Sequence, residues 1–187
     1  MLMQRLLMMI AISFTCLVSM DIQKTSVDVR RLFWALKYDK SHEVKYFLFD
    51  GMDVNFRFTY GIQGRMLYKE VTLLIVASLF GSITTVKLLL KQPDIKIYDR
   101  DHRYGDTALI WAARCGQDKV VRALIDAGAN PFLKNKRQSS ALQEAKKSLL
   151  NTYALGYREN FDTIISDLEM ARQIQCKEKS YRKKLTQ

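Results

Sequence analysis

The stretch "GDTALIWAARCGQDKVVRALIDAGANPFLKN", from Gly105 to Asn135, decides the fold of this chain. Its apolar residues recur at helical spacing in two short runs of about nine residues each. Gly116-Gln117-Asp118 separates the two runs, and Gly128 follows the second. Helices this short are not stable alone in water, because helix nucleation costs more than so few hydrogen bonds return. We therefore expect further helix pairs of the same kind elsewhere in the chain.

Two other segments repeat this pattern. The segment "LFWALKYDKSHEVKYFLFDGMDVN" (Leu32–Asn55) aligns without a gap to Leu109–Phe132, 77 residues later, so that Trp34 corresponds to Trp111. The segment "TLLIVASLFGSITTVKLLLKQPD" (Thr72–Asp94) precedes its counterpart by 35 residues. Self-similarity at such a period is typical of a helical solenoid, in which each helix pair buries its apolar face against its neighbours.

The residues that define the repeat are a threonine, small residues, branched apolar residues and two glycines. In the best copy they read Thr107-Ala108-Leu109-Ile110-Trp111-Ala112-Ala113, then Gly116, Val120-Val121, Leu124-Ile125 and Gly128-Ala129-Asn130. This pattern resembles the ankyrin repeat, which reads T-P-L-H-x-A-A followed by G, V-V, L-L and G-A-D/N. The resemblance implies an all-α fold, an ankyrin-type helical repeat solenoid with short β-hairpin connectors.

The resemblance extends over residues 27–173, and the chain outside this range is expected to be a leader and a tail. In order, the copies lie near residues 27–55, 68–98, 102–135 and, in degenerate form, 136–173. The second helix of the degenerate copy is expected at Phe161–Gln173. Residues 174–187 are mostly polar and basic, so we expect a solvated tail that frays.

Local physical chemistry explains the repeat positions. Thr107 is placed to cap a helix, because its hydroxyl can accept from a free backbone N–H of the first turn. Gly128 suits the left-handed conformation that often ends a helix. Ala108 and Ile110 stand where the family has proline and histidine, which predicts a weaker hydrogen-bonded link between neighbouring loops. We expect a sound array of modest stability.

The first twenty residues, "MLMQRLLMMIAISFTCLVSM", carry one charge, Arg5, ahead of an uncharged run from Leu6 to Met20. A positive start followed by such a run is typical of a secretory signal peptide. The run is short for a membrane-spanning helix, which needs roughly 20 apolar residues. We therefore expect an exported or secreted protein. The alternatives are an uncleaved membrane anchor, or a cytoplasmic protein whose apolar segment covers the first repeat.

Nothing in the sequence has the spacing of a catalytic or metal site. The chain has three cysteines, none in a Cys-x-x-Cys pair, which argues against a disulfide framework and a zinc site. His42 and His102 have no partner at catalytic spacing. The acidic segment Asp99–Asp106 lacks the ligand register of a calcium-binding EF-hand loop. We expect no enzymatic activity, no catalytic residue, no metal and no cofactor.

The family resemblance implies that a partner binds on a concave face made of hairpin tips and the exposed side of each first helix. Aromatic residues and arginine dominate binding energy at such interfaces. The family's contact positions carry over to Lys37, Tyr38, Tyr68, Leu79, Phe80, Arg103, Tyr104, Asp106, Arg114, Lys136 and Arg137.

Two functions compete at this point. The leading hypothesis is a non-catalytic protein–protein interaction module whose partner has an acidic or mixed polar and aromatic surface. The alternative is charge-driven association with nucleic acid or an anionic membrane, which the net charge of +11 would favour. Lysine and arginine are spread over both helices of the repeat and the tail rather than along one stripe, which argues against nucleic acid. Membrane contact is expected only through the N-terminal apolar segment, if it is not cleaved.

Overall fold

The computed structural model describes residues 29–62, 65–151 and 158–185, so the expected export signal lies outside the described residues. Helices dominate the described ranges, and one pair of strands interrupts them. In chain order the elements are α1 (residues 29–37), α2 (Ser41–Phe49), β1 (Arg57–Ile62), β2 (Arg65–Thr72), α3 (Leu73–Phe80), α4 (Ile83–Leu90), α5 (Ala108–Arg114), α6 (Asp118–Asp126), α7 (Ala141–Asn151) and α8 (Arg158–Leu185).

The helices stack as pairs in two layers. In the first layer α3 packs on α5 and α5 on α7, while Phe33 of α1 contacts Phe80 at the end of α3. In the second layer α2 packs on α4, α4 on α6 and α6 on α8. The strands β1 and β2 form an antiparallel hairpin between the first and second pairs. Two isolated bridges, Arg100 with Thr107 and Lys134 with Ser140, mark the later connectors. The predicted helical repeat solenoid with short hairpin connectors is confirmed.

Small residues let the first-layer helices approach closely. Ala35, Ala77, Ala112 and Ala145 occupy one repeat position in the four successive copies, and each is at most 2% exposed. An alanine presents only a methyl group at a helix contact, so neighbouring backbones can come near without leaving a void. This alanine row runs through one continuous hydrophobic core that extends from the first helix to the last.

The predicted helix caps and turns are confirmed. Thr107 caps α5 because its hydroxyl accepts from the backbone N–H of Ile110 at 3.4 Å, and Thr72 caps α3 in the same way. Gly116, between α5 and α6, has φ of +73°, and Gly128, after α6, has φ of +87°. Gly128 therefore holds the left-handed conformation that the sequence pattern indicated, and Gly116 holds it as well.

Arginine side chains supply the link between loops that the missing histidine would have made. Arg57 donates to the backbone carbonyl of Arg100 at 2.9 Å. Arg100 in turn donates to the carbonyl of Lys134 at 2.6 Å. Each guanidinium reaches from one connector to the next. Charge-assisted hydrogen bonds therefore join the neighbouring loops, although Ile110 stands where the family's histidine would have joined them.

The last helix corrects two expectations. The predicted second helix of the fourth copy is present, with Phe161, Ile164 and Leu168 buried, but it starts at Arg158 and continues to Leu185. The prediction of a frayed tail is therefore wrong. The sequence of this segment is rich in residues with high helix propensity, and its last turn carries three basic residues that complement the helix dipole. None of the helices in the described residues has both the length and the apolar character needed to cross a membrane.

Candidate partner-binding face

Tyr104, in the connector before α5, is the centre of a group that we call the tyrosine cluster. Arginine guanidinium carbons lie 4.8 Å (Arg103), 5.6 Å (Arg114) and 4.7 Å (Arg137) from the centroid of its ring. The indole of Trp111 meets the same ring edge to face, with centroids 6.1 Å apart. Cations over an aromatic face are attracted by the ring quadrupole, so the tyrosine holds these side chains together.

Arg103 and Arg137 are the exposed members of the tyrosine cluster, and they come from the connectors of adjacent repeats. Within the described part of the chain, no carboxylate pairs with either guanidinium. Lys136, beside Arg137, donates from its backbone N–H to the carbonyl of Tyr104 at 2.9 Å. Its ammonium donates to the carbonyl of His102 at 2.5 Å, so this predicted contact residue also ties the two connectors together.

Arg114 is the least exposed arginine of the tyrosine cluster, with only 20% of its side chain exposed. Its guanidinium forms an ion pair with Asp106 at 2.6 Å and another with Glu144 at 2.8 Å. Asp106 also accepts from the side-chain amide of Asn135 at 2.7 Å. The prediction that Asp106 contacts a partner is wrong, because its side chain is completely buried beneath these groups.

Electrostatics favour the ionised form of the Arg114–Glu144 pair. Burial alone would raise the pKa of Glu144, but hydrogen bonds from Ser139 and Arg114, the charge of Arg114 and a hydrogen bond from Lys147 outweigh it. The pKa of Glu144 falls to about 2. The pKa of Arg114 is raised. Burial alone would lower it, but the hydrogen bond and charge interaction with Asp106, and then those with Glu144, outweigh the effect of burial. The pair is therefore charged at neutral pH.

The acidic connector before α5 uses its carboxylates within the protein. Asp101 accepts from the backbone N–H of Tyr104 at 2.8 Å and from the indole N–H of Trp111 at 2.9 Å. Asp99 forms an ion pair with Arg57 at 3.0 Å. In the described ranges, no group of three or more potential ligands is arranged to hold a metal ion. The connector shapes the tyrosine cluster, because Asp101 fixes both of its aromatic residues.

A second group, which we call the lysine cluster, lies at the start of the array. The ammonium of Lys37 lies 5.2 Å from the Trp34 ring, 5.3 Å from the Tyr38 ring and 5.6 Å from the Phe80 ring. Trp34 and Tyr38 stack with their centroids 5.0 Å apart, and about half of each side chain is exposed. Leu79, the neighbour of Phe80, is half-buried. Lys37, Tyr38 and Phe80 were predicted as contacts, and they do lie together.

Both tryptophans of the chain lie in these two clusters, although neither was among the predicted contact residues. Trp34 and Trp111 correspond at the 77-residue offset, and each lies on the exposed side of a first-layer helix next to a basic residue. That correspondence was the signal that could have identified them. The backbone of Tyr68 lies in β2 opposite Tyr60. Its side chain lies outside the described part of the chain, so its role stays a prediction.

Comparison with known proteins identifies the family. A search of curated proteins finds no match to this chain. A scan of protein families matches "Ankyrin repeats (3 copies)" over residues 32–135, which is more than half of the 187 residues. The matched range runs from α1 to the connector after α6, and so includes three of the stacked helix pairs. The chain therefore belongs to the ankyrin-repeat family.

Proposed function

We propose that this chain is a non-catalytic protein–protein interaction module that binds an acidic segment of its partner at the tyrosine cluster. Ankyrin repeats are generally protein–protein interaction modules. The observation that carries the proposal is the pair of exposed guanidinium groups, Arg103 and Arg137, on either side of Tyr104. Two cations without carboxylate partners in the described residues, on an aromatic platform, favour a ligand that brings its own carboxylates.

The geometry supports binding with little reorganisation. Stacking on the Tyr104 ring restricts the rotamers of Arg103 and Arg137, so less side-chain entropy is lost when a carboxylate arrives. A guanidinium presents parallel N–H groups that match the two oxygens of a carboxylate. Trp111 adds apolar surface of the kind found at binding hot spots. Arg114 contributes by holding Asp106 and Glu144 in position through its two ion pairs.

The lysine cluster supports a second contact for the same partner. It lies two first-layer helices away from the tyrosine cluster, and neighbouring helices pack about 8–10 Å apart. An extended segment rises about 3.3 Å per residue, so roughly six residues would reach from one cluster to the other. The stacked rings of Trp34 and Tyr38 would accept an aromatic or aliphatic side chain from this segment.

The test is affinity capture with the full chain, followed by measurement of the dissociation constant for the captured protein. Arg103→Gln/Arg137→Gln removes two charges but keeps most of the side-chain length. We expect it to weaken binding by at least about 2 kcal/mol, the usual scale of a hot spot. The matched control Lys96→Gln/Lys177→Gln removes the same charge from exposed residues elsewhere and should change binding little.

Charge-driven association predicts the opposite result. Neutralising Arg182, Lys183 and Lys184 at the end of α8 would then cause the larger loss, and a modest increase in salt would abolish binding. The protein-partner proposal would be refuted if binding of the captured ligand were unchanged by Arg103→Gln/Arg137→Gln but lost when the basic residues at the end of α8 were neutralised.

A further inference from the structure

The second helix layer carries a basic groove on the opposite side of the array from the tyrosine cluster. It lies between α2 and α4 and has a volume of about 410 Å³. Its polar lining consists of Ser41, His42, Lys45, Thr84, Lys87 and Lys91. This volume is within the range of small-molecule pockets, about 300–1,000 Å³, but the groove is open to solvent rather than enclosed. This groove plays no part in the proposed protein contact.

The three lysines give the groove an uncompensated positive charge. Lys45, Lys87 and Lys91 are exposed, and no carboxylate in the described residues pairs with any of them. Lys45 and Lys87 occupy the same repeat position, 42 residues apart. In the sequence, lysine and arginine are spread over both helices of the repeat and the tail. This concentration could not be predicted from it, because α2 and α4 become neighbours only when the repeats stack.

No carboxylate lines the groove, and two of the acids near it in sequence have other partners. Glu43, on α2, pairs with Arg31 at 2.9 Å and does not line the groove. Asp39 accepts from the backbone N–H groups of Thr84 at 3.1 Å and Thr85 at 2.8 Å, so its oxygens cap the start of α4. Asp50 and Asp94, which are also close in sequence, do not line the groove. The lining therefore carries three lysines and no acid.

The neighbouring groove between α4 and α6 provides an internal contrast. It shares Lys87 and also contains Lys119 and Arg122, but Asp126 lines it as well. Arg122 is further engaged by Asp167 of α8 at 3.0 Å. Acids therefore offset part of the positive charge in the α4–α6 groove. Of these two grooves, the α2–α4 groove is the one whose lining contains lysines and no acid.

We infer that the α2–α4 groove binds a small ligand that carries two or more phosphate groups. Each exposed ammonium contributes little alone, since water and salt screen it, so a single phosphate would bind weakly. A ligand with several phosphates can engage Lys45, Lys87 and Lys91 together, while the hydroxyl of Ser41 and the imidazole of His42 offer hydrogen bonds. The half-buried aliphatic side chain of Leu88 gives the phosphate-bearing scaffold an apolar surface to rest on.

Calorimetric titration of the full chain with inositol hexakisphosphate, pyrophosphate and inorganic phosphate tests this inference. We expect affinity to decrease in that order. Lys45→Gln/Lys91→Gln should weaken inositol hexakisphosphate binding at least tenfold. The matched control Lys96→Gln/Lys119→Gln removes equal charge and should change it less than twofold. Circular dichroism verifies that both variants fold, as expected for exposed side chains.

The location and source of the phosphate are tested separately. Amide chemical shift changes in the nuclear magnetic resonance spectrum should concentrate in Ser41–Lys45 and Thr84–Lys91. Sedimentation with phosphatidylcholine vesicles that do or do not contain phosphatidylinositol bisphosphate then distinguishes a lipid headgroup from a free phosphate ester, and either source supports the inference. Arg103→Gln/Arg137→Gln should leave phosphate binding intact. The inference about the groove can therefore be refuted without refuting the protein-partner proposal.

Three results would overturn the inference. The first is no heat of binding with inositol hexakisphosphate. The second is an equal loss in both lysine variants, which would indicate general charge attraction. The third is displacement of the ligand by short duplex DNA with shift changes along α8, which would indicate a nucleic-acid surface instead.

Discussion

Arg114 is the residue on which the charged groups beneath the tyrosine cluster depend. It lies between Asp106, which is completely buried, and Glu144, whose side chain is 8% exposed. Arg114→Ala would leave the buried Asp106 without a cation and Glu144 with only the exposed Lys147. Removing one partner of a buried ion pair typically costs about 3–5 kcal/mol, because the remaining charge is left desolvated. We expect a loss of this size in the free energy of unfolding, measured with a chemical denaturant.

A surface ion pair in the same array provides the control for Arg114. Arg122 is 61% exposed and pairs with Asp167 at 3.0 Å. Exposed pairs contribute less than about 1 kcal/mol, so Arg122→Ala should cost little. Equal losses in Arg114→Ala and Arg122→Ala would mean that Arg114 does not compensate buried charge.

Glu144 should make stability depend on pH in the acid range. Its pKa in the folded chain is about 2, below its ordinary value of 4.5, so the unfolded state binds a proton first as pH falls. The stabilisation is fully present above about pH 4.5 and is lost as pH falls towards 2. We expect the wild type to lose about 2 kcal/mol more than Glu144→Gln across this window. Denaturant titrations of both proteins at several pH values measure it, and parallel curves would contradict the prediction.

At the scale of elements, Gly128 ends α6. Its φ is +87°, and a Cβ built there would meet nothing within 4 Å, so any cost of substitution comes from the backbone alone. Gly128→Val should therefore destabilise the fold by roughly 1–2 kcal/mol or more. Ala127→Val is the matched control, since Ala127 is exposed with φ of −80°. Thermal unfolding that is indistinguishable between the two variants would show that the turn does not need a glycine.

Elements with local rules were predictable, whereas contacts made by stacking were not. Thr107 and Gly128 follow rules that act within one turn of helix, so the sequence pattern was enough to assign their roles. Asp106 is covered by Asn135, which reaches it from the next repeat, and by Arg114, which Glu144 of the next repeat holds in place. The sequence of one repeat does not reveal which of its polar side chains the next repeat will cover. Helix α8 was underestimated because a basic composition is compatible both with a solvated tail and with an exposed helix.

At the scale of the whole molecule, the two proposed binding sites lie at different boundaries between copies. The tyrosine cluster joins the third and fourth copies, whereas the α2–α4 groove joins the first and second. Each site is built across a boundary between copies, so a single repeat could form neither. Both proposed sites therefore require stacking, as does burial of the core. A substitution that weakens the contact between two adjacent repeats should destabilise both repeats and the proposed site that lies at their boundary.

The alanine row gives the sharpest test of this coupling. Ala112 lies at the centre of α5, which packs on both α3 and α7, whereas Ala35 lies in the first copy. Ala112→Leu overfills a well-packed contact and should cost about 1–3 kcal/mol. Because α5 shares both interfaces, amide hydrogen exchange should speed up in α3 and α7 as well as in α5. Ala35→Leu has the same chemistry at the end of the array, so protection in α7 should stay near wild type. If Ala112→Leu exposed amides in α5 alone, the repeats would be independent units, and the two sites would not require the stack as a whole.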